Sequence, residues 1–247
     1  MIEFIAAEES TREIVKTVLL VKTLAINVLI TGEIGTGKSL LASKILPDSA
    51  TANGASENEI VQLLLRSDSL IIEDFDRLKH PDHLDLENKR IVATASRAID
   101  QRVVDRFFGI TLNLLPLRDR PLDVPLLAEM FMKEARAMLM ISRVPNIETS
   151  RYDLSENAYS LRRSIFTTLL MESLGENDVL TVMNKFLHGV FRENAGGNIY
   201  RDYLHMYDLP LIMAGLDECG SQLKLSNVLG INRNTLRKKI HELGIGC

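Results

Sequence analysis

The sequence is short of the features that mark several protein classes. Its 247 residues include only two cysteines, Cys219 and Cys247, too few for a disulfide framework or a cysteine-based metal cluster. No apolar run approaches the roughly 20 residues that a membrane-spanning helix needs. The start of the chain lacks the basic flank and apolar stretch of a signal peptide. We therefore predict a cytoplasmic protein without a membrane partner.

An overall positive charge is also missing, since the formal net charge is −4. Residues 219–247 nevertheless carry five Lys and Arg against one Glu, a net charge of +4, which leaves −8 on the remainder. This asymmetry predicts that the C-terminal segment contacts an anionic polymer. A solvated helical face is the alternative that charge alone would favour.

Apolar runs that alternate with helical patterns predict an α/β domain. The run at residues 26–30 ends at a glycine-rich turn and is predicted as a buried strand. Strands that alternate with helices indicate a parallel sheet covered on both faces. Beyond Pro116 the pattern is mostly helical, with a helix cap predicted at Ser155. The other predicted elements are strands at 70–72, 90–94 and 110–114, a helix at 8–25 and a loop at 47–57.

Residues 32–39 read GEIGTGKS and fit the phosphate-binding pattern G-x-x-x-x-G-K-[ST], between a predicted strand and a predicted helix. Glycines let backbone amides surround phosphates, Lys38 neutralises the β- and γ-phosphates, and Ser39 can ligate Mg²⁺. The alternative is a degenerate loop that keeps its shape without binding. We predict an ATP site formed by Gly32, Glu33, Gly35, Thr36, Gly37, Lys38 and Ser39.

Hydrolysis of ATP requires acidic groups beside the phosphate loop. The predicted strand at residues 70–72 ends in two adjacent carboxylates, Glu73 and Asp74. We expect Glu73 to face the Mg²⁺ ion and Asp74 to polarise the attacking water. A surface acidic turn is the structural alternative.

The order of these motifs, followed by Thr94-Ala95-Ser96, Asp105-Arg106 and residues 115–124, resembles the AAA+ ATPases of the NtrC type, the sigma-54-dependent activators. That family has a phosphate loop reading GExGTGK, matched by residues 32–38, and a segment close to PPLRER…DI, matched by residues 115–124. The resemblance implies an AAA+ α/β subdomain at residues 1–120. It also implies a helical lid at residues 121–192.

The resemblance assigns further roles around the nucleotide. Thr94 or Ser96 would be sensor I, which reads the γ-phosphate. Arg106 would be an arginine finger that reaches the ATP of the next subunit. Arg162 is similar in place to the sensor II arginine of the lid, and Arg163 is an equal rival. A surface ion pair is the alternative for each arginine.

The sequence also departs from that family. Nothing in the 33 residues between Ser39 and Glu73 resembles the GAFTGA loop that engages sigma-54, so direct activation of sigma-54 polymerase is not expected. The acidic pair reads Glu-Asp instead of Asp-Glu, which leaves the carboxylate of Asp74 one methylene short, and a misplacement of about 1 Å can cost about 100-fold in rate. Asp100 stands where the family has its first arginine finger, and residues 156–159 replace its WPGN segment. We expect ATP binding with slow or partner-dependent hydrolysis.

The last thirty residues contain two predicted helices, at 221–229 and 233–243, joined by a tight turn. The string LGINRNTLRKKIHELGI resembles the Fis-type helix-turn-helix of NtrC-family proteins, whose second helix enters the major groove. The resemblance implies a DNA-binding domain at residues 199–247, after a predicted linker at 193–198. It also implies dimerisation through preceding helices, for which residues 203–216 are apolar enough.

Residue types divide the two helices into an inner and an outer face. Arg and Asn can pair with guanine and adenine edges, while Lys and Thr suit phosphates. A basic hairpin that contacts protein, or nothing, is the alternative. The predicted core is Leu225, Val228, Leu229, Ile231, Leu236, Ile240 and Leu243. The residues predicted to contact double-stranded DNA are Asn232, Arg233, Asn234, Thr235, Arg237, Lys238 and Lys239.

These patterns together predict an ATP-binding, sequence-specific DNA-binding transcription regulator that forms homo-oligomers. We expect a dimer through the C-terminal domain, which can extend into a larger AAA+ assembly. One alternative is an AAA+ ATPase that remodels a nucleoprotein complex and uses the helix-turn-helix as a DNA tether. Another is a simple dimeric repressor whose nucleotide site is vestigial.

Overall fold

The computed structural model describes residues 4–140, 152–193 and 197–246. These residues divide into two compact units, and the boundary along the chain lies between Leu174 and Gly175. The middle of the predicted linker, residues 194–196, lies outside the described residues. This boundary lies 18 residues before residue 192, the predicted end of the lid. The helix Glu176–Glu193, which was predicted as the last part of the lid, therefore belongs to the second unit.

The first unit is built on one five-stranded sheet, and every pair of neighbouring strands within the described residues is parallel. The strand order is β2-β3-β4-β1-β5. The predicted parallel sheet is therefore confirmed. The strands are β1 Val28–Thr31, β2 Ala50–Asn53, β3 Ser69–Glu73, β4 Arg90–Ala95 and β5 Ile110–Asn113.

Helices cover both faces of this sheet, as predicted. Consecutive apolar residues of a strand point to opposite faces, so Leu29 packs into one core and Ile30 into the other. The helices of the first unit are α1 Glu9–Val21, α2 Lys38–Ile45, α3 Glu57–Arg66, α4 Gln101–Phe107, α5 Asp123–Leu139 and α6 Ala158–Ser173. Residues of α3 and α4 pack in the core that contains Leu29, while residues of α1 and α2 pack in the core that contains Ile30.

Strand β2 corrects the prediction of a loop at residues 47–57. Its four residues are Ala-Thr-Ala-Asn, and only Ala52 is buried. Because β2 is an edge strand, it pairs with β3 alone and its side chains contribute little to a core. Small and polar residues suffice there, so the sequence carries no apolar signal for the strand.

Helices α5 and α6 form a separate layer whose core includes Phe131, Leu161 and Ile165. The start of α6 corrects a second prediction. The cap residue of α6 is Asn157 and not Ser155, and its backbone has φ 56° and ψ −128°. This conformation is rare for a residue with a side chain.

The second unit is helical in its described residues. Its core is small and contains Ile212, Leu225, Leu236 and Ile240. Val228 was predicted to join this core, but it is 74% exposed, because it lies on the outer face of its helix. The helices are α7 Glu176–Glu193, α8 Ile199–Tyr203, α9 His205–Cys219, α10 Gln222–Leu229 and α11 Arg233–Glu242.

The ends of the last two helices follow from their sequence. The Ser221 side chain accepts a hydrogen bond from the Lys224 amide at the start of α10, and Gly230 ends that helix with φ 65°. The Asn232 side chain accepts from the Asn234 amide at the start of α11. Such caps satisfy backbone groups that have no partner within the helix. The predicted helix-turn-helix geometry is thus present at residues 222–242.

Among the described residues, no helix has both the length and the apolar character needed to cross a membrane.

Candidate functional site

The predicted phosphate loop connects β1 to α2. Gly32, Gly35 and Gly37 have φ values of 149°, 77° and 104°, a region that side chains rarely permit. An added Cβ at Gly35 would overlap the carbonyl oxygen of Glu156. The loop therefore needs glycine both for its backbone conformation and for its close contact with the segment before α6.

Lys38 begins α2 and is only 8% exposed. Its Nζ atom donates to the carbonyl oxygens of Gly32 and Glu33, each at 2.8 Å. Burial lowers the pKa of the Lys38 ammonium, and the carboxylate of Asp74 is the largest of the opposing influences. The ammonium is thus held at the mouth of the loop, where an anionic ligand would restore the charge stabilisation that burial removes.

The loop and the acidic strand end share one cavity of about 490 Å³. Strands β3 and β4 are parallel neighbours, so their carboxyl ends reach the same edge of the sheet. The cavity lining includes these predicted site residues: Gly35, Gly37, Lys38, Ser39, Glu73, Asp74, Thr94 and Ser96. The structure therefore brings the predicted metal and sensor I residues together with four of the predicted phosphate residues, whereas Gly32, Glu33 and Thr36 do not line this cavity.

Asp74 is held by several neighbours. Its backbone has φ 51° and its amide donates to Thr94 Oγ1 at 3.2 Å. Its carboxylate accepts a hydrogen bond from Asn53 Nδ2 at 3.1 Å, and Arg77 Nε lies 3.7 Å away. Arg77 also lines the cavity, which gives the site a cation that the sequence did not reveal. The left-handed turn at Asp74 orients this carboxylate toward groups from β2 and from its own turn.

The donor set suits Mg²⁺ held through a nucleotide. Ser39 and Glu73 supply a hydroxyl and a carboxylate to one cavity, and hard oxygen ligands of this kind are what Mg²⁺ binds. The described residues contain no group of three or more His, Cys, Asp and Glu that could hold a metal by itself. Any Mg²⁺ here would depend on phosphate oxygens for much of its coordination.

The predicted arginines are placed outside this cavity. Arg106 lies on α4 and pairs with Asp82 at 2.6 Å. Arg162 pairs with Glu134 through two hydrogen bonds of 2.8 and 3.1 Å, and its guanidinium lies 4.2 Å from the centre of the Phe166 ring. Helix α6 lines the cavity with Ala158 and Tyr159, and not with Arg162.

The rival arginine is also engaged elsewhere. Arg163 lies 3.3 Å from Glu156 and 3.7 Å from Asp153. Neither candidate for sensor II reaches the phosphate loop in this structure.

Residues after β5 contact the phosphate loop in ways that the sequence did not predict. Arg118 makes two hydrogen bonds to the Glu33 carboxylate, at 2.5 and 2.9 Å. These bonds, followed by one from Asn157, hold the pKa of the Glu33 carboxyl below its usual value. Both arginines of the LPLRDR string face the loop, because Arg120 Nη2 donates to the Thr36 carbonyl at 3.2 Å. The string itself was visible in the sequence, but its partners lie 84 and 85 residues away.

The outer face of α11 carries most of the predicted DNA contacts. Arg233, Asn234, Thr235 and Arg237 are exposed, and Lys238 lies 3.7 Å from Glu242 on the same helix. Arg233 and Arg237 have no ion-pair partner in the described part of the chain. An exposed helix with free guanidinium groups can approach phosphates and base edges.

Lys239 differs from the other predicted DNA contacts. Its ammonium is bonded to the carboxylate of Asp208 on α9 and its side chain is only 32% exposed. Asn232 also has an internal role, since its side chain caps α11. The structure therefore assigns these two residues first to the packing of the helix-turn-helix.

Comparisons with known proteins match two separate segments of the chain. Residues 4–63 match the family model for the Sigma-54 interaction domain, and residues 206–243 match that for the bacterial regulatory protein, Fis family. The DNA-binding transcriptional regulator NtrC of Rhizobium meliloti (strain 1021) is 26% identical over 204 residues, which cover 63% of this chain and 42% of that protein. A putative Fis-like DNA-binding protein of Neisseria meningitidis serogroup A is 44% identical over 48 residues, or 19% of this chain and 61% of that protein. This chain thus spans less than two thirds of either relative.

Solved structures identify the fold. NtrX from Brucella abortus in complex with ATP superposes with a TM-score of 0.57 at 16% identity, over 99% of this chain and 70% of that one. The same protein in complex with ADP gives a TM-score of 0.56 at 14% identity. The described chain thus has an AAA+ fold, in which residues 4–63 are similar to the sigma-54 interaction domain and residues 206–243 to the Fis family.

Proposed function

We propose that this chain is an ATP-binding, sequence-specific DNA-binding transcription regulator of the NtrC-like AAA+ type. One observation carries the proposal: Lys38, Ser39, Glu73, Asp74 and Thr94 line a single cavity, in a chain that also has a Fis-type helix-turn-helix. The relatives named above bind DNA or were solved with ATP and ADP, which supports the same assignment for this chain.

We further propose that the protein does not activate sigma-54 polymerase directly. The support is the short path from the phosphate loop to the acidic strand. Helix α3 has ten residues and is followed after two residues by β3. The sequence between Ser39 and Glu73 has no GAFTGA-like segment that could project from this region.

We propose that bound ATP acts mainly as a signal and is hydrolysed slowly. Ser39 and Glu73 would hold Mg²⁺, which supplies charge neutralisation to the phosphates when bound. Asp74 would polarise water, but its carboxylate is one methylene shorter than glutamate and is already hydrogen-bonded to Asn53. Both facts favour binding over turnover.

We propose that the protein dimerises through its C-terminal unit. Helix α7 has an apolar side, yet of its residues only Val190 is buried in the described chain. An apolar groove of about 280 Å³ lies beside α7, and Tyr203 and Tyr207 help to line it. A second copy of this unit would cover these surfaces and place two helix-turn-helix motifs on two half-sites of DNA. The exposed residues of this α7 surface are Val179, Leu180, Val182, Phe186 and Phe191.

The test compares the wild type with Lys38→Ala, and uses Lys44→Ala as a matched control on the same helix. ATP binding is measured by calorimetry, and oligomer mass and affinity for genomically selected DNA are measured with and without ATP. We expect wild type and Lys44→Ala to bind ATP and to change mass and DNA affinity with it, while Lys38→Ala does neither. A wild-type titration that stays flat would refute ATP binding, and unchanged DNA affinity on ATP saturation would refute the signal role.

A further inference from the structure

Three consecutive carbonyl groups of the phosphate loop accept hydrogen bonds from donors outside the loop. The Ile34 oxygen accepts from Asn157 Nδ2 at 2.8 Å. The Gly35 oxygen accepts from the Ala158 amide at 3.0 Å, and the Thr36 oxygen accepts from Arg120 at 3.2 Å. The donors are the cap residue of α6, the first residue of that helix and an arginine in the turn before α5.

These bonds fix the direction of the amides that follow each carbonyl. In a trans peptide the C=O and the next N–H point in opposite directions. Carbonyls that point toward the outer donors therefore turn the amides of Gly35, Thr36 and Gly37 away from them. Amides oriented in advance can bind an anion without first paying the cost of rearrangement.

Asn157 is the residue most committed to this arrangement. It is 1% exposed and its Oδ1 atom accepts from the Leu117 amide at 2.6 Å. Its Nδ2 group donates to the Ile34 carbonyl and lies 3.3 Å from the Glu33 carboxylate. The backbone of Asn157 has φ 56° and ψ −128°, a conformation that residues other than glycine rarely adopt. Strain of this kind persists where the surroundings determine the conformation, and it is concentrated at functional sites.

Arg120 provides the second support from a buried position. Its side chain is 2% exposed and lies 3.5 Å from the fully buried carboxylate of Asp123. That carboxylate accepts hydrogen bonds from the amides of Ala7 and Glu8 and from the Thr11 hydroxyl. The ion pair therefore ties the start of α1 to the same turn that supports the phosphate loop.

We propose that Asn157 is a positioning residue for phosphate binding: it orients the amides of the phosphate loop through the carbonyl of Ile34. This inference rests on the proposed binding of ATP. It follows that the position of α6, which begins at the next residue, sets the affinity of the loop for phosphates.

Two substitutions separate positioning from stability. Asn157→Asp keeps the shape and the acceptor for the Leu117 amide, but it replaces the donor to Ile34 with a carboxylate beside Glu33. A loss of affinity in this variant therefore supports positioning only where the uncharged Asn157→Gly variant shows it as well. Asn157→Gly removes every side-chain contact and relieves the backbone strain. Asn88→Gly is the matched control, because Asn88 is an exposed asparagine with φ 58° that is remote from the phosphate loop in sequence and does not line its cavity.

The binding of ATP and of inorganic tripolyphosphate is measured by calorimetry at a temperature where circular dichroism shows native helix content. We expect both Asn157 variants to lose about tenfold or more in affinity for both ligands, and Asn88→Gly to match the wild type. Equal losses for the two ligands locate the defect at the phosphate amides and not at the nucleoside.

Each contrary outcome has one meaning. A wild type that binds neither ligand would refute the proposed nucleotide function. A wild type that binds both, with Asn157 variants that bind within about twofold of it, would refute the positioning role. A loss for ATP without a loss for tripolyphosphate would also refute it.

Discussion

At the scale of single residues, glycines show most clearly where the backbone is constrained. Gly35→Ala would place a Cβ against the Glu156 carbonyl at a φ of 77°. The phosphate loop or the segment before α6 must then move. We expect ATP affinity to fall by about tenfold or more and the midpoint of thermal unfolding to decrease. Calorimetric titration and thermal unfolding measure the two effects.

Gly189→Ala is the control for this substitution. Gly189 lies inside α7, and an added Cβ there meets no atom within 4 Å. Alanine should stabilise the helix by about 0.5–1 kcal/mol and leave ATP binding unchanged. If Gly35→Ala behaved like Gly189→Ala, the close contact between the loop and the Glu156 segment would be contradicted.

The residues of the candidate site that the sequence predicted are those with a local motif. Lys38 and Ser39 follow from the loop pattern, and Glu73 and Asp74 from an apolar strand that ends in acids. Asn157 was missed because its partners are 123 and 124 residues away in the chain. No local pattern encodes such a pairing.

At the scale of helices, the cationic side chains of Arg237 and Lys239 on α11 have different environments. Arg237 is exposed and lacks an ion-pair partner among the described residues, whereas Lys239 is bonded to Asp208. We expect Arg237→Ala to weaken DNA binding by about tenfold and to leave the free energy of unfolding unchanged. The slope of the logarithm of the binding constant against the logarithm of the salt concentration should become shallower by about one. Fluorescence anisotropy at several salt concentrations measures this effect.

Lys239→Ala should show the opposite balance. It leaves the Asp208 carboxylate, whose side chain is only 17% exposed, without its cation. We expect a loss of about 1 kcal/mol in stability and a smaller effect on DNA affinity. A Lys239→Ala protein with wild-type stability and a larger DNA defect than Arg237→Ala would overturn this assignment.

Element-level predictions succeeded where apolar residues repeat and failed where they do not. The strands at the sheet centre are confirmed because their apolar runs are buried on both faces. Strand β2 was missed because its residues are small and polar, whereas β5, the other edge strand, contains an apolar pattern. Val228 was misplaced because helical spacing alone did not show which face is covered. Burial is decided by the partner element, which one segment of sequence does not contain.

At the scale of the whole molecule, the apolar side of α7 gives the C-terminal unit a surface suited to a second copy. Val179 is 53% exposed on that side, and Thr181 lies on the polar side two residues later. Val179→Glu places a charge in the proposed interface, while Thr181→Glu adds the same charge outside it. The pair therefore distinguishes disruption of an interface from a general effect of charge.

We expect Val179→Glu to shift the protein from dimer to monomer, and Thr181→Glu to remain dimeric, as measured by analytical ultracentrifugation. A monomer reaches only one half-site of DNA, so its affinity should fall by about 100-fold or more, because the second contact is no longer intramolecular. ATP binding should be equal in both variants, since neither residue lies in the unit that contains the phosphate loop. A monomeric wild type would refute the proposed dimer, and a Val179→Glu protein that stays dimeric would place the interface elsewhere. Unaltered DNA affinity in a monomeric variant would show that one motif is enough.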